Sequence, residues 1–600
     1  MNRHLHRVVF NAARGMRMVV QETATSIGKG ASRATTAAGA AALAGVLIAG
    51  AAHGQIAGAP NVPGNLRPTV LTAPNGVPLV NIQTPSAAGV SRNVYNQFSV
   101  GANGAILNNS RVNVQTQLGG FVQGNPNLAT GPARIILNEV NGGTPSQLRG
   151  YIEVGGQRAE VIIANPAGIS VDGGGFINAS RATLTTGTPQ FNAVGGLDSF
   201  LVRGGTVTID GAGLDASKTD YAAILARAVQ TNASIWASEL KVVTGANQIS
   251  ADHSQITPTT GTGTAPTFAL DVAALGGMYA NKIVLIGSEA GLGVRNAGNI
   301  GAGAGGLVVT AAGRLENIGT MEGQRVELTT PGDISNRGGT IRQGSSAGLT
   351  IASPVLSNAD GGVIGAEPVS SGASGGVTAT PGTSMPSSGG GTATPSTTDA
   401  GGTSTGGSST PAAYTPPAPG LIAAGGTISN EGGKIYAGGP ITLNTPQVNN
   451  AGGSLNVATM AVAGPSFSNA GGTLNVSQSF GANVGTFDNT GGKLNAGSLN
   501  IATSGDLLNT DGVLSSATDT GLKVGGMLEN TRGSLSAAGA MSAKVVGASI
   551  NNSGTLTSNL ALTLNAGSLQ NTQGSIQSAQ SSVQLGVTSV LSNGSGGSID

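Results

Sequence analysis

Cysteine is absent from all 600 residues, which excludes disulfides, thiolate catalysis and cysteine-based metal sites. Charge is scarce, with Asp, Glu, Lys and Arg at 9% against roughly 25% in ordinary soluble domains. Aromatic residues supply 3%, so a core has to be built from Val, Ile, Leu and Ala in thin layers. Histidine is nearly missing: His4, His6 and His53 lie at the N-terminus and only His253 follows. A Ser-His-Asp triad would have to use that one residue, and a zinc site would have a single imidazole. In the polar stretch Ala251-Asp252-His253-Ser254, a surface position is expected. Gly301-Ala-Gly303-Ala-Gly-Gly306 fits the dinucleotide fingerprint literally, but strand-like Leu307-Val-Val-Thr310 follows where a helix N-terminus is required. The match is read as chance in a Gly-rich chain. No enzyme activity, cofactor or metal is expected.

Long apolar runs are also missing after the N-terminus. Arg3, Arg7, Arg14, Arg17, Lys29 and Arg33 precede an apolar run from about Ala37 to Ala52, the pattern of an export signal. Cleavage is expected between Gly54 and Gln55. The run is short for a membrane span, so no transmembrane segment is expected in the mature chain. The whole chain has 28 Lys plus Arg and 27 Asp plus Glu, and the signal removes six and one of these. That leaves 28 − 6 = 22 against 27 − 1 = 26, a net charge of −4. No basic patch for nucleic acid remains.

What is abundant is glycine, 100 residues, set in a rhythm: an apolar residue, Asn two positions on, one or two glycines, another apolar residue. It reads Ile428-Ser-Asn430-Glu-Gly-Gly433-Lys-Ile435 and continues at Asn450, Asn469, Asn489, Asn509 and Asn530, with further copies centred on Asn552, Asn571 and Asn593. Earlier copies stand at Asn296, Asn317, Asn336 and Asn358. A period near 20 without internal helical periodicity indicates a solenoid, here an all-β, right-handed parallel β-helix. The apolar residue and the Asn point to one side of a strand. Stacked coils then let the Asn amides bond as a ladder. Asn and Gly both tolerate the left-handed backbone of a tight corner. The competing reading takes each Asn-Gly as a hairpin turn, which does not require the same inward residue in the same phase. Roughly 25 coils about 4.8 Å apart would span on the order of 120 Å.

The organisation expected is an extended signal peptide at 1–54, an atypical capping domain at 55–285, β-helix repeats at 286–366, a Ser/Thr/Gly/Pro linker at 367–419, and repeats again at 420–600. The cap contains one helix-compatible stretch, Asp220 to Val229. The linker carries too little apolar surface to fold; it is a hinge, a loop extruded from one coil, or a binding or glycosylated stalk. A polysaccharide lyase on the same scaffold would need clustered carboxylates, but Asp488, Asp506, Asp511 and Glu529 do not recur in phase across neighbouring coils. The Asn593 unit runs into Asp600 without a closing cap, as expected of the start of a longer stalk.

The first half of the chain resembles the two-partner secretion exoproteins, the filamentous haemagglutinin-like family. Met1-Asn-Arg-His-Leu-His-Arg-Val-Val-Phe-Asn-Ala-Ala-Arg-Gly-Met16 is similar to the family's extended signal peptide, and Asn93 to Val100 and Gly104 to Asn109 to its early strands. Gly150 to Asn165 and Phe176 to Gly187 are longer matches. Asn125-Pro126-Asn127-Leu128 and Asn165-Pro166-Ala-Gly168-Ile169 sit where the family has its secretion motifs, usually Asn-Ala-Asn-Leu and Asn-Pro-Asn-Gly-Ile. The cysteine pair found after the second motif in many relatives is absent. Turn chemistry alone also accounts for Asn-Pro, since Pro fixes its own φ and restricts the residue before it.

The resemblance implies recognition of these motifs by the periplasmic domains of a dedicated outer-membrane β-barrel transporter. It further implies secretion to the bacterial cell surface and adhesion to a host or neighbouring cell. The alternative it implies is the stalk of a contact-dependent growth-inhibition exoprotein whose toxin lies beyond this chain.

Overall fold

A computed structural model describes residues 6–11, 16–21, 55–344, 348–365, 420–437, 441–444 and 447–600. The apolar signal run, Gly54 of the cleavage pair and the 367–419 linker lie outside the described residues. The chain divides into two compact units, Met1–Ala51 and Ala52–Asp600. In the first, His6–Asn11 and Met16–Gln21 pair as antiparallel strands.

The second unit is a β-solenoid of about 19 turns. Forty-nine of its strands join one hydrogen-bonded sheet system, and no α-helix occurs among the described residues. Successive coils repeat the same inward residue in parallel register: Leu455 over Leu474, Leu494 and Leu514, each no more than 2% exposed. Burying one such Leu contributes about 2 kcal/mol. Because each coil supplies the next with the same layer, one apolar core runs from Val80 to Ile576.

Ile428 and Asn430 are both buried, as residues two apart on a strand should be. Thirteen asparagines from Asn296 to Asn593 are linked by twelve amide–amide hydrogen bonds of 2.6–2.8 Å. The chain of bonds passes through Asn551, which corrects the assignment to Asn552. Counting two on from Ile550 picks the wrong asparagine, because Ser549, not Ile550, stacks on Leu528 and is buried. A one-residue slip reverses every side chain. Asn552 instead accepts the Thr572 N–H at the surface.

The corner conformation is also reassigned. The left-handed residue is the second one after the ladder Asn: Gly432, Gly452, Gly471 and Gly491, then Asp511, Arg532, Ser553 and Gln573. The glycine that follows is needed for space, since a Cβ on Gly492 would stand 2.1 Å from the Asn469 carbonyl oxygen of the preceding coil.

The segment 55–285 is itself largely coiled, with Leu79 already stacked on Ile106. Ile56–Gly58 runs antiparallel to Val90–Phe98, and Thr69–Thr72 to Pro78–Asn81, so the first coils carry antiparallel additions that occupy an otherwise open edge. The 20-residue rhythm is lost because of insertions. Gly175 stacks under Asp215 and Trp236 under Tyr279, each about twice the usual step. The surplus builds a four-stranded antiparallel sheet of Thr188–Phe191, Leu197–Val202, Asn247–Ser250 and Ile256–Pro258 on the outside. These insertions use up chain, hence about 19 turns in place of 25.

The stretch expected to be helix-compatible forms the strands Tyr221–Ala226 and Ala228–Thr231. Ala222, Ala223, Ile224, Leu225 and Ala226 are all buried. Ala222, Ile224 and Ala226 belong to the main core, Ala223 and Leu225 to a second core under the outer sheet. Burial on both faces produces continuous apolar runs in parallel strands and here overrides helix propensity.

Candidate secretion-recognition site

The two Asn-Pro motifs form tight turns at coil corners. Asn125 has an extended backbone (φ −81°, ψ 115°) and precedes a single 3-10 turn, Pro126–Leu128. Its Oδ1 accepts the Asn127 N–H at 3.0 Å, an N-cap that satisfies a free backbone donor. Its Nδ2 donates to the Ile82 and Asn108 carbonyls, both at 2.9 Å. Pro126 is exposed, Asn127 is half-buried with Nδ2 on the Ile82 carbonyl, and Leu128 is fully buried.

Asn165 repeats the arrangement. Its Oδ1 accepts the Ala167 N–H at 2.9 Å, and its Nδ2 donates to the Thr144 carbonyl and Ser146 Oγ, both at 3.0 Å. The Gly168 N–H closes the turn on the Asn165 carbonyl at 3.0 Å. Gly168 has φ +119°, Ile169 is buried and Pro166 is exposed. The two asparagines are 3% and 0% exposed, and they bond to separate sets of neighbours. Every amide hydrogen-bonding group of both is therefore engaged within the fold. Gln55, the first described residue after the expected cleavage position, accepts the Ser99 N–H at 2.9 Å through its carbonyl.

Other buried polar groups support these corners and escaped the sequence reading. Asn109 spans to the Ala133 and Gln157 carbonyls. Glu153 accepts the Gln117 and Leu118 N–H groups, both at 2.7 Å. Burial pushes the phenol of Tyr95, bonded to Asn138 Oδ1 at 2.9 Å, above its ordinary range. None belongs to a repeat, so only the register of irregular coils could have revealed them.

His253 corrects an expectation. It lies in the turn between Asn247–Ser250 and Ile256–Pro258 and is 1% exposed, not on the surface. Its ring is tucked against Phe200 and Tyr221, with centroids 6.1 and 5.9 Å away. Neither ring nitrogen has a hydrogen-bond partner among the described residues. Burial, then the Arg181 and Lys241 charges, lower its pKa to about 3. The imidazole is a neutral filler beneath the outer sheet. Asp252 bonds Ser250 and Ser254, not the ring. The Gly301–Gly306 run lies inside the strand Asn299–Ala311. Among the described residues no cluster of His, Asp and Glu could hold a metal, and no helix is long and apolar enough to cross a membrane.

Comparison with known proteins matches residues 1–51 to the extended signal peptide of type V secretion systems. Residues 54–317 match the TPS secretion domain, which runs on into the first units of the Asn repeat. The chain is 49% identical over 363 residues to Toxin CdiA of Yersinia pestis, covering 58% of this chain and 11% of that protein. It is 48% identical over 329 residues to tRNA nuclease CdiA-2 of Burkholderia pseudomallei, covering 52% and 10%. The chain thus spans about a tenth of the length of these curated relatives. The crystal structure of a filamentous hemagglutinin secretion domain is 33% identical, with a TM-score of 0.41, covering 52% of this chain and 98% of that one. With the extended signal peptide matched over residues 1–51 and the TPS secretion domain over 54–317, the chain is an exported protein of the two-partner secretion exoproteins.

Proposed function

We propose that the Asn125 and Asn165 motifs are read by the transporter before the chain folds. The observation that carries this is their burial: in the folded coil both amides are fully used internally, leaving nothing for a partner to bond. An unfolded segment with free strand edges can add a strand to the periplasmic domains of an outer-membrane barrel. Coil-by-coil folding outside then draws the chain outward, each coil pairing on the last.

The test is secretion of Asn125→Ala and Asn165→Ala beside Asn109→Ala, an equally buried asparagine outside both motifs. Loss confined to the motif variants supports recognition. Equal loss in all three makes the motifs simple folding elements. Unchanged secretion of the motif variants, with export still dependent on the transporter, removes the reading.

At the surface the chain acts as the base of a filament that reaches a host or neighbouring cell, as a haemagglutinin-like adhesin. A second reading is favoured by relatives named toxins and nucleases at 45–49% identity: the stalk of a growth-inhibition exoprotein with its toxin beyond this chain. A toxin-coding segment downstream, followed by an immunity gene, selects the second reading; its absence selects the first.

A further inference from the structure

One outward column of the solenoid carries aromatic rings. Trp236, Tyr279, Gly301, Glu322 and Arg342 follow one another in parallel register on successive coils. Trp236 is the only tryptophan and is 48% exposed. It stacks on Tyr279 with centroids 4.4 Å apart and planes 21° from parallel, so the pair forms a flat step across the coils. The next position is glycine, and beyond it stands the Glu322–Arg342 ion pair. A Cβ on Gly301 would touch the Tyr279 ring at 3.4 Å and the Glu322 carboxylate at 3.8 Å. The glycine therefore floors a slot with an aromatic wall on one side and a polar wall on the other. The groove that continues from it holds about 610 Å³, within the range of small-ligand sites, about 300–1,000 Å³. Gln343 lines it and has a buried Oε1 without a partner among the described residues.

The same solenoid contains the closed version of this slot. Tyr151, Gly175 and Asp215 occupy corresponding successive positions. There the tyrosine ring lies over the glycine, 2.5 Å from where a Cβ would sit, and its hydroxyl bonds Asp215 at 2.7 Å. At Tyr279 the ring is turned back over Gly277 and stacks on Trp236, so the space above Gly301 stays open.

We propose that this slot binds a sugar ring of a neutral oligosaccharide. A pyranose has an apolar C–H face that packs on an aromatic ring and a rim of hydroxyls that bond a carboxylate and a guanidinium together. The slot presents those groups in that order. A nucleotide fits worse, because Glu322 already neutralises Arg342 and the described residues lining the slot include no helix N-terminus to hold phosphate. A peptide strand fits worse, because the backbones of this column are already paired on both sides. Gly301 and Gly303 of the Gly-rich run thus acquire a role as part of the lining of the slot.

Trp236 supplies the readout. The mature chain is titrated with β-linked disaccharides of glucose, galactose and N-acetylglucosamine, following tryptophan fluorescence. At least one sugar should give a saturable change. Gly301→Val, which fills the slot with a residue suited to a strand, and Tyr279→Ala should each weaken it about tenfold or more. Gly481→Val, at an outward glycine in open space, should leave it unaltered. Absence of saturable binding throughout the panel, or undiminished binding to Gly301→Val with its melting curve intact, overturns the proposal. The outcome is independent of secretion through Asn125 and Asn165, which is assayed separately.

Discussion

Asn358 donates its amide to Asn430 at 2.7 Å, the same distance as between Asn430 and Asn450 in the next coil, although 72 residues separate the first pair. Around them Ile364 pairs with Ile341 and Leu421 with Thr350 in parallel backbone register, so the strands before and after the inserted stretch keep the phase of the coils. The register is therefore the same on both sides of residues 366–419.

Shortening the stretch between these strands should stabilise the solenoid. In the preceding coil the equivalent positions are separated by residues 343–348, six residues, and here by 366–419, fifty-four. A ninefold shorter loop lowers the closure cost by about 2 kcal/mol. Replacing 366–419 by Gln343–Gly348 should raise the urea midpoint while far-UV circular dichroism keeps its β signature.

A ladder substitution should cost more than a surface one. Asn489 donates to Asn509, Gly492 and Val513 and accepts from Asn469. In Asn489→Leu these buried groups lose their partner, at about 1–3 kcal/mol each. Because coils contact only their neighbours, amide hydrogen exchange should accelerate near residues 469–513 and stay slow around Asn317.

Adjacent glycines should differ sharply. Gly491 has φ +63° and only a distant backbone neighbour, so Gly491→Ala should cost about 1–2 kcal/mol, and Asn is expected to be tolerated there. Gly492→Ala meets the Asn469 carbonyl at 2.1 Å and should separate two coils, seen as a melting temperature well below that of Gly491→Ala.

The outer sheet should loosen in acid. His253 is held neutral down to about pH 3 in the fold but takes a proton near pH 6.5 once exposed. The unfolded form therefore binds the extra proton, and stability is full above pH 6.5 and falls from there toward pH 3 by up to about 1.4 kcal/mol per pH unit. Exchange of the Leu197–Val202 amides, corrected for intrinsic rate, should quicken between pH 7 and 4.5. His253→Leu should flatten that component; an unchanged profile in the variant would assign the acid response to other groups.

The Asn-Gly-Gly period carried the architecture in plain view, because a solenoid repeats its inward residues with its coils. The Asn-Pro motifs were legible too, as turn chemistry and as family resemblance. Three things needed the folded chain. The ladder chose Asn551 over Asn552, because strand phase depends on which neighbour Ser549 or Ile550 stacks against. Burial of Ala222 to Ala226 on both faces made strands of residues with good helix propensity. His253, polar in its sequence surroundings, became an interior residue once two insertions met as one sheet above it. Local pattern determines what recurs from coil to coil; side chains brought together by insertions of different length are decided only when the distant coils that carry them are stacked.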